Sequence, residues 1–183
     1  GFDLSKIPKE IITGISSEKA YDFDGAGAEY SYYFAKKMGF DLSKIPKEMI
    51  AAISSNAAHS YEFAKGLGFD LSKIPKEIIT GISSNAERSY YFASEVGFDF
   101  SKIPKEIITA ISSNAAWSYE FASGLGFDFD KIPKEIITTI ENSSRQTPEF
   151  LNDPRKVTPR QENVFYKLVD EILLSDSMYR IPQ

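Results

Sequence analysis

Few residues in this sequence could carry out acid–base, nucleophilic or metal chemistry. The chain has one histidine, His59, and no cysteine, which excludes disulfides, thiolate nucleophiles and cysteine-based metal sites. A histidine without a second histidine or a cysteine to join it is more often an ordinary surface residue than a base or a ligand. Serine and aspartate are abundant, but serine recurs in every repeat, where it could cap a helix. We therefore expect a protein that is not an enzyme and that binds no metal.

A stretch at residues 22–28, Asp-Phe-Asp-Gly-Ala-Gly-Ala, has a superficial likeness to a calcium loop. It lacks the spaced oxygen ligands and the terminal bidentate glutamate of an EF-hand. Its glycines follow no predicted strand and precede no Lys-Ser/Thr pair, both of which a phosphate loop requires. We expect neither calcium nor a nucleotide there, and no cofactor elsewhere.

The most varied positions lie in one helix of an internal repeat. Successive copies carry Tyr30, His59, Arg88 and Trp117 at one position, and residues three and seven places later also vary. These offsets fall on one side of a helix, roughly opposite a face that we expect to be buried. We call this side the variable stripe and expect it to point outward. Its predicted partner-binding residues are Tyr30, Tyr33, His59, Glu62, Arg88, Tyr91, Trp117 and Glu120.

Two interpretations of the variable stripe stay open. Trp, Tyr and Arg supply much of the binding energy at protein interfaces, which favours a surface that contacts a partner, with Trp117 and Arg88 as hot spots. Alternatively, the position tolerates any residue in solvent and has drifted.

The repeat that carries the stripe opens with Gly-Phe-Asp-(Leu/Phe)-(Ser/Asp)-Lys-Ile-Pro-Lys-Glu, starting at residues 1, 39, 68, 97 and 126. The last three intervals are 29 residues, and the first is 38 because nine extra residues lie around 21–29. Self-similarity at such a period indicates a repeat architecture in which stacked units cover each other. Gly14 and Gly81 in odd copies, against Ala52 and Ala110 in even copies, indicate a duplicated block of 58 residues.

Two short helices are predicted in each unit. The first begins at the Ile-Pro step, with proline in its opening turn, and ends at a Ser-Ser pair. Its isoleucines share one helical face, as in Ile74, Ile78, Ile79 and Ile82.

The second helix is predicted to start at the second serine of the pair, acting as N-cap. Ser84 and Glu87 have the spacing of a capping box. A glycine then closes the unit in the left-handed conformation. In the middle of the array, Tyr90 and Phe92 of the second helix are also expected to be largely buried. The predicted N-caps are Ser55, Ser84 and Ser113, the predicted buried face is Ala57, Ser60, Tyr61, Ala64 and Leu67, and the closing glycines are Gly68, Gly97 and Gly126.

The predicted fold is therefore all-α, a short α-solenoid of 29-residue helix–turn–helix repeats with a C-terminal cap helix. We assign residues 1–157 to the array and 158–183 to the cap helix and tail, where Val164, Leu168 and Ile172 form an apolar stripe. The chain begins at a repeat boundary, so we expect a processed start or a piece of a longer array.

Bulk composition sets limits on partners. Hydrophobic residues make up 42% and charged residues 26% of the chain, which is typical of a soluble globular protein. No apolar run is long enough to span a membrane. The net charge of −5 disfavours nucleic acid and anionic membranes as partners. We expect an intracellular rather than a secreted protein.

Residues 105–123, Lys-Glu-Ile-Ile-Thr-Ala-Ile-Ser-Ser-Asn-Ala-Ala-Trp-Ser-Tyr-Glu-Phe-Ala-Ser, resemble uncharacterised α-helical repeats of bacterial and viral proteins. Those repeats carry a Glu-Ile-Val-Leu-Ala-Ala-Val first helix and an Ala-Leu-x-Tyr-Ala-Ser second helix, and the resemblance implies no activity. The chain is also similar to transcription-activator-like effector repeats, which have one variable site per unit. There the variable site lies in the turn, whereas here it lies inside the second helix, so we do not carry over DNA recognition.

Three functions remain as hypotheses. The first is a scaffold that binds a protein or peptide through the second-helix surface. The second is a structural spacer or assembly element of a larger protein, which near-identical copies favour because a spacer needs only stacking. The third is a modular nucleic-acid-binding array.

Overall fold

A computed structural model describes residues 7–17 and 26–146 of the chain. All regular structure in this part is helical, as predicted, and no strand occurs in it. One turn of 3-10 helix covers Phe100–Lys102. The α-helices are α1 (Lys9–Ser16), α2 (Ala26–Lys37), α3 (Lys47–Ser54), α4 (Ala57–Gly66), α5 (Lys76–Ser83), α6 (Ala86–Glu95), α7 (Lys105–Ser112), α8 (Ala115–Gly124) and α9 (Lys134–Gln146).

The helices form two rows. Helices α1, α3, α5 and α7 are the first helices of successive repeats, and each contacts the next one in the row. Helices α2, α4, α6 and α8 form the second row in the same way, and each contacts the first helix of its own repeat. Helices α2, α4 and α6 also contact the first helix of the following repeat. Neighbouring units therefore cover each other's apolar faces, which is how a solenoid of short repeats builds its core.

The first helices follow the prediction closely. The helix begins directly after proline, whose carbonyl oxygen accepts hydrogen bonds from the amides three and four residues later, at 3.0 Å and 3.3 Å for Pro75. The isoleucine face is buried, with Ile78 and Ile82 fully inaccessible and Ile74 and Ile79 nearly so. The confirmed face is the apolar core of the first row.

The predicted serine N-caps are wrong. Asparagine, one residue later, caps α4, α6 and α8: the Asn56 Oδ1 atom accepts from the Ala58 and His59 amides at 3.0 and 3.1 Å. Ser55 and Ser84 keep right-handed helical dihedrals, and their hydroxyls donate back to the carbonyls three residues earlier. The serines therefore end the first helix, and the capping box from Ser84 to Glu87 does not form. The same holds in the next repeat, where Asn114 caps α8 and Ser113 ends α7.

The second helices bury a slightly different face from the predicted one. Ser60, Tyr61 and Ala64 are buried as expected, but Ala57 and Leu67 are half-buried. The expected burial of Phe92 is confirmed, and its counterparts Phe63 and Phe121 are fully inaccessible as well, whereas Tyr90, which we expected to be largely buried, is only half-buried. The buried serine hydroxyl donates to a first-helix carbonyl, from Ser60 to Ile53 at 3.0 Å, which ties the two rows together within a repeat.

The predicted left-handed glycines are confirmed at Gly68, Gly97 and Gly126, with φ between 66° and 70°. The following phenylalanine is left-handed too, with φ between 54° and 56° at Phe40, Phe69, Phe98 and Phe127. Such a conformation is an outlier for a bulky residue. It turns the phenylalanine ring onto the buried one, edge to face at 5.4 Å between Phe69 and Phe92, so ring burial offsets the backbone strain.

The described residues as far as Asn142 belong to one compact unit, and Ser143 begins a second. The fifth repeat departs from the pattern here, because α9 continues to Gln146 instead of stopping after eight residues as α7 does. The predicted cap helix at 158–183 and the predicted array boundary at 157 lie outside the described residues.

Candidate partner-binding surface

The variable stripe lies on the second-row helices α2, α4, α6 and α8. In three of them the asparagine cap holds the variable residue itself, because its backbone amide donates to the cap oxygen. The distances are 3.1 Å for His59, 3.0 Å for Arg88 and 3.2 Å for Trp117. The cap therefore fixes the backbone at this position and leaves the side chain free to change in type.

Only the first variable residue is as exposed as we expected. Tyr30 is 46% exposed, whereas His59, Arg88 and Trp117 are half-buried. The expectation that this position points freely into solvent is therefore wrong for three of the four copies. The reason lies in the second row, where neighbouring helices pack side by side and each variable residue meets the helix before it.

Two of the half-buried residues stack on a tyrosine of the preceding repeat. The His59 ring lies 5.5 Å from the Tyr32 ring with 26° between their planes. The Trp117 ring lies 5.2 Å from Tyr90 and 5.8 Å from Tyr91. These two interfaces are equivalent under the 58-residue block, and the same position makes a ring stack in both.

At the interface between repeats two and three, the variable residue is an arginine instead of a ring. The Arg88 guanidinium carbon lies 5.8 Å from the centre of the Tyr91 ring one turn later, within cation–π range. Tyr91 in turn lies 6.4 Å from Tyr61 of the preceding repeat. The Tyr61 hydroxyl donates to Glu95 at 3.3 Å, and burial, followed by the Glu95 carboxylate, raises the pKa of Tyr61 to about 12.

The position three residues later alternates between aromatic and acidic side chains. Tyr33 and Tyr91 are 50% and 36% exposed, while Glu62 and Glu120 are half-buried. Burial and the Glu120 carboxylate together raise the pKa of Tyr90. The stripe residue Glu120 therefore lies close to Tyr90, an aromatic residue of the preceding repeat.

The structure gathers six of the eight predicted residues into two similar clusters, one per 58-residue block, and each cluster adds a tyrosine that was not predicted. Of the other two predicted residues, Tyr30 is in neither cluster and Arg88 contacts the second through Tyr91. Each cluster has two adjacent tyrosines in contact, at 5.7 Å for Tyr32 and Tyr33 and 5.6 Å for Tyr90 and Tyr91. Each adds the ring of the next repeat's variable residue, and a glutamate completes the set. The first cluster is Tyr32, Tyr33, His59 and Glu62, and the second is Tyr90, Tyr91, Trp117 and Glu120.

A separate line of exposed apolar side chains, outside the two helix rows, was not predicted from the sequence. It lies in the turn that opens each unit, one residue per repeat, and consists of Leu42, Leu71, Phe100 and Phe129. We call it the turn row. The signal available in the sequence was a leucine or phenylalanine that recurs in this turn after an aspartate and before a serine or, at Phe129, a second aspartate.

The polar side chains of the same turn form hydrogen bonds and an ion pair with each other. Asp70 accepts from the Ser72 amide and hydroxyl at 3.0 and 2.6 Å and pairs with Lys73 at 2.9 Å. The hydrogen bonds from Ser72 and Lys73 lower the pKa of the Asp70 carboxyl from 3.8 to about 2. These groups shape the turn, and the same arrangement recurs at Asp41.

The described residues show neither a metal-binding cluster nor a membrane-spanning helix. Among the described residues no group of three or more His, Asp or Glu side chains is placed to hold a metal ion. The end of the glycine-containing stretch, Ala26–Ala28, forms the buried start of α2, and its aspartates lie outside the described residues. Within the described ranges, no helix combines the length and the apolar character needed to cross a membrane.

No protein-family model matches the chain, and no curated protein or solved structure matches it significantly. Function therefore has to be inferred from the residues and their geometry.

Proposed function

We propose that this chain is a non-catalytic repeat scaffold that binds a protein or peptide partner through the second-row helices. The observation that carries the proposal is the pair of exposed tyrosines, Tyr33 and Tyr91. They lie 58 residues apart at the same place in the repeat, and each belongs to an aromatic cluster on the variable stripe.

The clusters have the physical properties of a binding surface. An aromatic side chain that its neighbours already hold loses little conformational freedom when a partner docks, which improves affinity. Tyr91 is held in this way by Tyr90 and Trp117, at 5.6 and 5.8 Å. Glu62, Glu120 and Arg88 lie around the rings and supply the polar rim that interfaces commonly have.

A peptide selection tests the proposal without a known partner. The probe is a phage-displayed library of random peptides, selected on the immobilised full chain. We expect selected peptides to lose binding to the double variant Tyr33→Ala/Tyr91→Ala. Each hot-spot tyrosine contributes about 2 kcal/mol, which is about a 30-fold loss of affinity. Trp117→Ala and Arg88→Ala should weaken binding to a similar degree.

The matched control removes exposed apolar side chains from the turn row, in Leu71→Ala/Phe129→Ala. This variant should bind the selected peptides with unchanged affinity, and both double variants should keep their helical circular dichroism because exposed residues contribute little to folding. Equal binding by both double variants and by the wild type would show that the peptides dock elsewhere and would refute the proposal.

A structural spacer is the second candidate, and one observation favours it. His59 and Trp117 both stack across a repeat boundary, so the variable position contributes to the cohesion of the array. A spacer needs that contact and no partner. If the selection yields no peptide that the stripe variants affect, while Trp117→Ala lowers the unfolding midpoint, the spacer function is the better supported one.

A further inference from the structure

The outer face of α1 is apolar and uncovered by the described residues. Ile11 is 52% exposed, whereas its counterparts in the four following repeats are fully inaccessible. Those counterparts are Met49, Ile78, Ile107 and Ile136. No residue of helix α1 is buried, whereas α3, α5 and α7 each bury at least three residues.

The first helix of repeat one shows which neighbour covers this isoleucine. Helix α1 packs against α3 of the following repeat, yet Ile11 stays 52% exposed. A following repeat therefore does not cover this position, and the cover that makes Met49, Ile78 and Ile107 inaccessible comes from the preceding one. Ile11 therefore exposes the face that a preceding unit covers elsewhere.

The glycine one turn further along α1 gives the same result independently. A β-carbon added at Gly81 would lie 2.5 Å from the Ser54 carbonyl oxygen and would also collide with the Ser60 hydroxyl, both in the preceding repeat. A β-carbon added at Gly14 would meet nothing within 4 Å. The place that repeat two occupies against α5 is thus open against α1.

The outer face of α1 has the same amino-acid sequence as the face of α5 that packs against repeat two. Residues 1–17 and 68–84 are identical in sequence, and the second of these segments is the one that receives repeat two, through the contacts of α5 with α3 and α4. Helix α1 therefore carries every side chain that α5 uses in that interface.

We propose that the outer face of α1 is a docking surface for one more helix–turn–helix unit of the kind formed by residues 39–67, stacked in line ahead of α1. The proposal continues an interface already present between repeats two and three, and it does not depend on the partner-binding function. The occupant contributes the Ser-Ser turn and the buried serine that face Gly81 in that interface.

The test joins a copy of residues 39–67 directly ahead of Gly1 in the full chain, which reproduces the natural junction between Leu67 and Gly68. Hydrogen exchange of the α1 amides is followed by mass spectrometry, with and without the added unit. Docking should slow exchange in Lys9–Ser16 by about tenfold or more, because the helix then opens only when the added layer separates.

The matched control is Ile11→Lys in both chains. In the extended chain it places a charge in the new interface and should abolish the added protection. In the original chain, where Ile11 is exposed, it should change exchange by less than about twofold. The proposal is overturned if the added unit leaves α1 exchange unchanged. It is also overturned if the original chain forms dimers on sedimentation that Ile11→Lys dissociates, because a second copy would then be the occupant.

Discussion

Ile78 and Ile11 occupy the same place in two identical helices, so replacing each with alanine measures what repeat stacking contributes. Ile78 is fully inaccessible and Ile11 half-exposed. The replacement removes about three methylene equivalents, each worth about 0.8 kcal/mol when buried, and leaves a cavity at Ile78. We therefore expect Ile78→Ala to lower the free energy of unfolding by about 2–5 kcal/mol, and the same for Ile82→Ala.

Ile11→Ala should cost about 1 kcal/mol or less, because the side chain is already half in water and alanine is the better helix former. The assay is urea unfolding followed by circular dichroism at 222 nm, with midpoint and slope compared, since a change of slope would signal lost cooperativity between repeats. Equal losses for the two variants, or a loss of a few tenths of a kcal/mol at Ile78, would show that the isoleucine face was assigned to the wrong side of the helix.

Three further predictions follow from the repeat interfaces and turns. Gly14→Ala should stabilise the chain by about 0.4–1 kcal/mol, whereas Gly81→Ala should destabilise it by about 1 kcal/mol or more because its β-carbon meets the Ser54 backbone; thermal unfolding of the two variants checks this. A double-mutant cycle on Tyr90→Ala and Trp117→Ala should give a coupling of about 0.5–1.5 kcal/mol, and a coupling near zero would contradict the stacking. The pKa of Asp70 is lowered to about 2 on folding, so its stabilising effect is complete above about pH 4 and is lost as the pH falls through 2; Asp70→Asn should flatten that acid limb in urea titrations.

The parts of the fold that could be predicted from sequence are those with a direct local signature. The isoleucine face follows from helical spacing alone, and the left-handed glycines follow from the backbone freedom of glycine. Both were found where expected, at Ile78 and Ile82 and at Gly68. Such features depend on one residue type or one helix, so they can be predicted without knowing how the rest of the chain packs.

The parts that could not be predicted depend on a choice between neighbours or between elements. Ser84 and Asn85 are both good N-caps, and the local sequence contains no signal that the helical conformation of the first helix extends to the serine. Phe69 has no intrinsic preference for positive φ, and its ring packs on Phe92 of α6, later in the same repeat, which offsets the strain of that conformation. The exposure of Trp117 depends on how closely the second-row helices approach, which is a property of two repeats and not of one.

Residue types alternate from one repeat interface to the next in both rows of helices. Where repeat two meets repeat three, the first row has Gly81 and the second row has Arg88; where repeats three and four meet, they have Ala110 and Trp117. A β-carbon at Gly81 would lie 2.5 Å from the Ser54 carbonyl oxygen, so glycine permits the approach of α5 to α3 there, while tryptophan adds a broad ring to the second row at the next interface. The first-row helices contact each other most extensively between α3 and α5, where Gly81 lies, whereas the second-row helices contact each other least at that interface and more between α6 and α8, where Trp117 stacks. Successive repeat interfaces therefore alternate in which row is the more closely packed, and the residue type at the variable position follows this alternation with its period of two units.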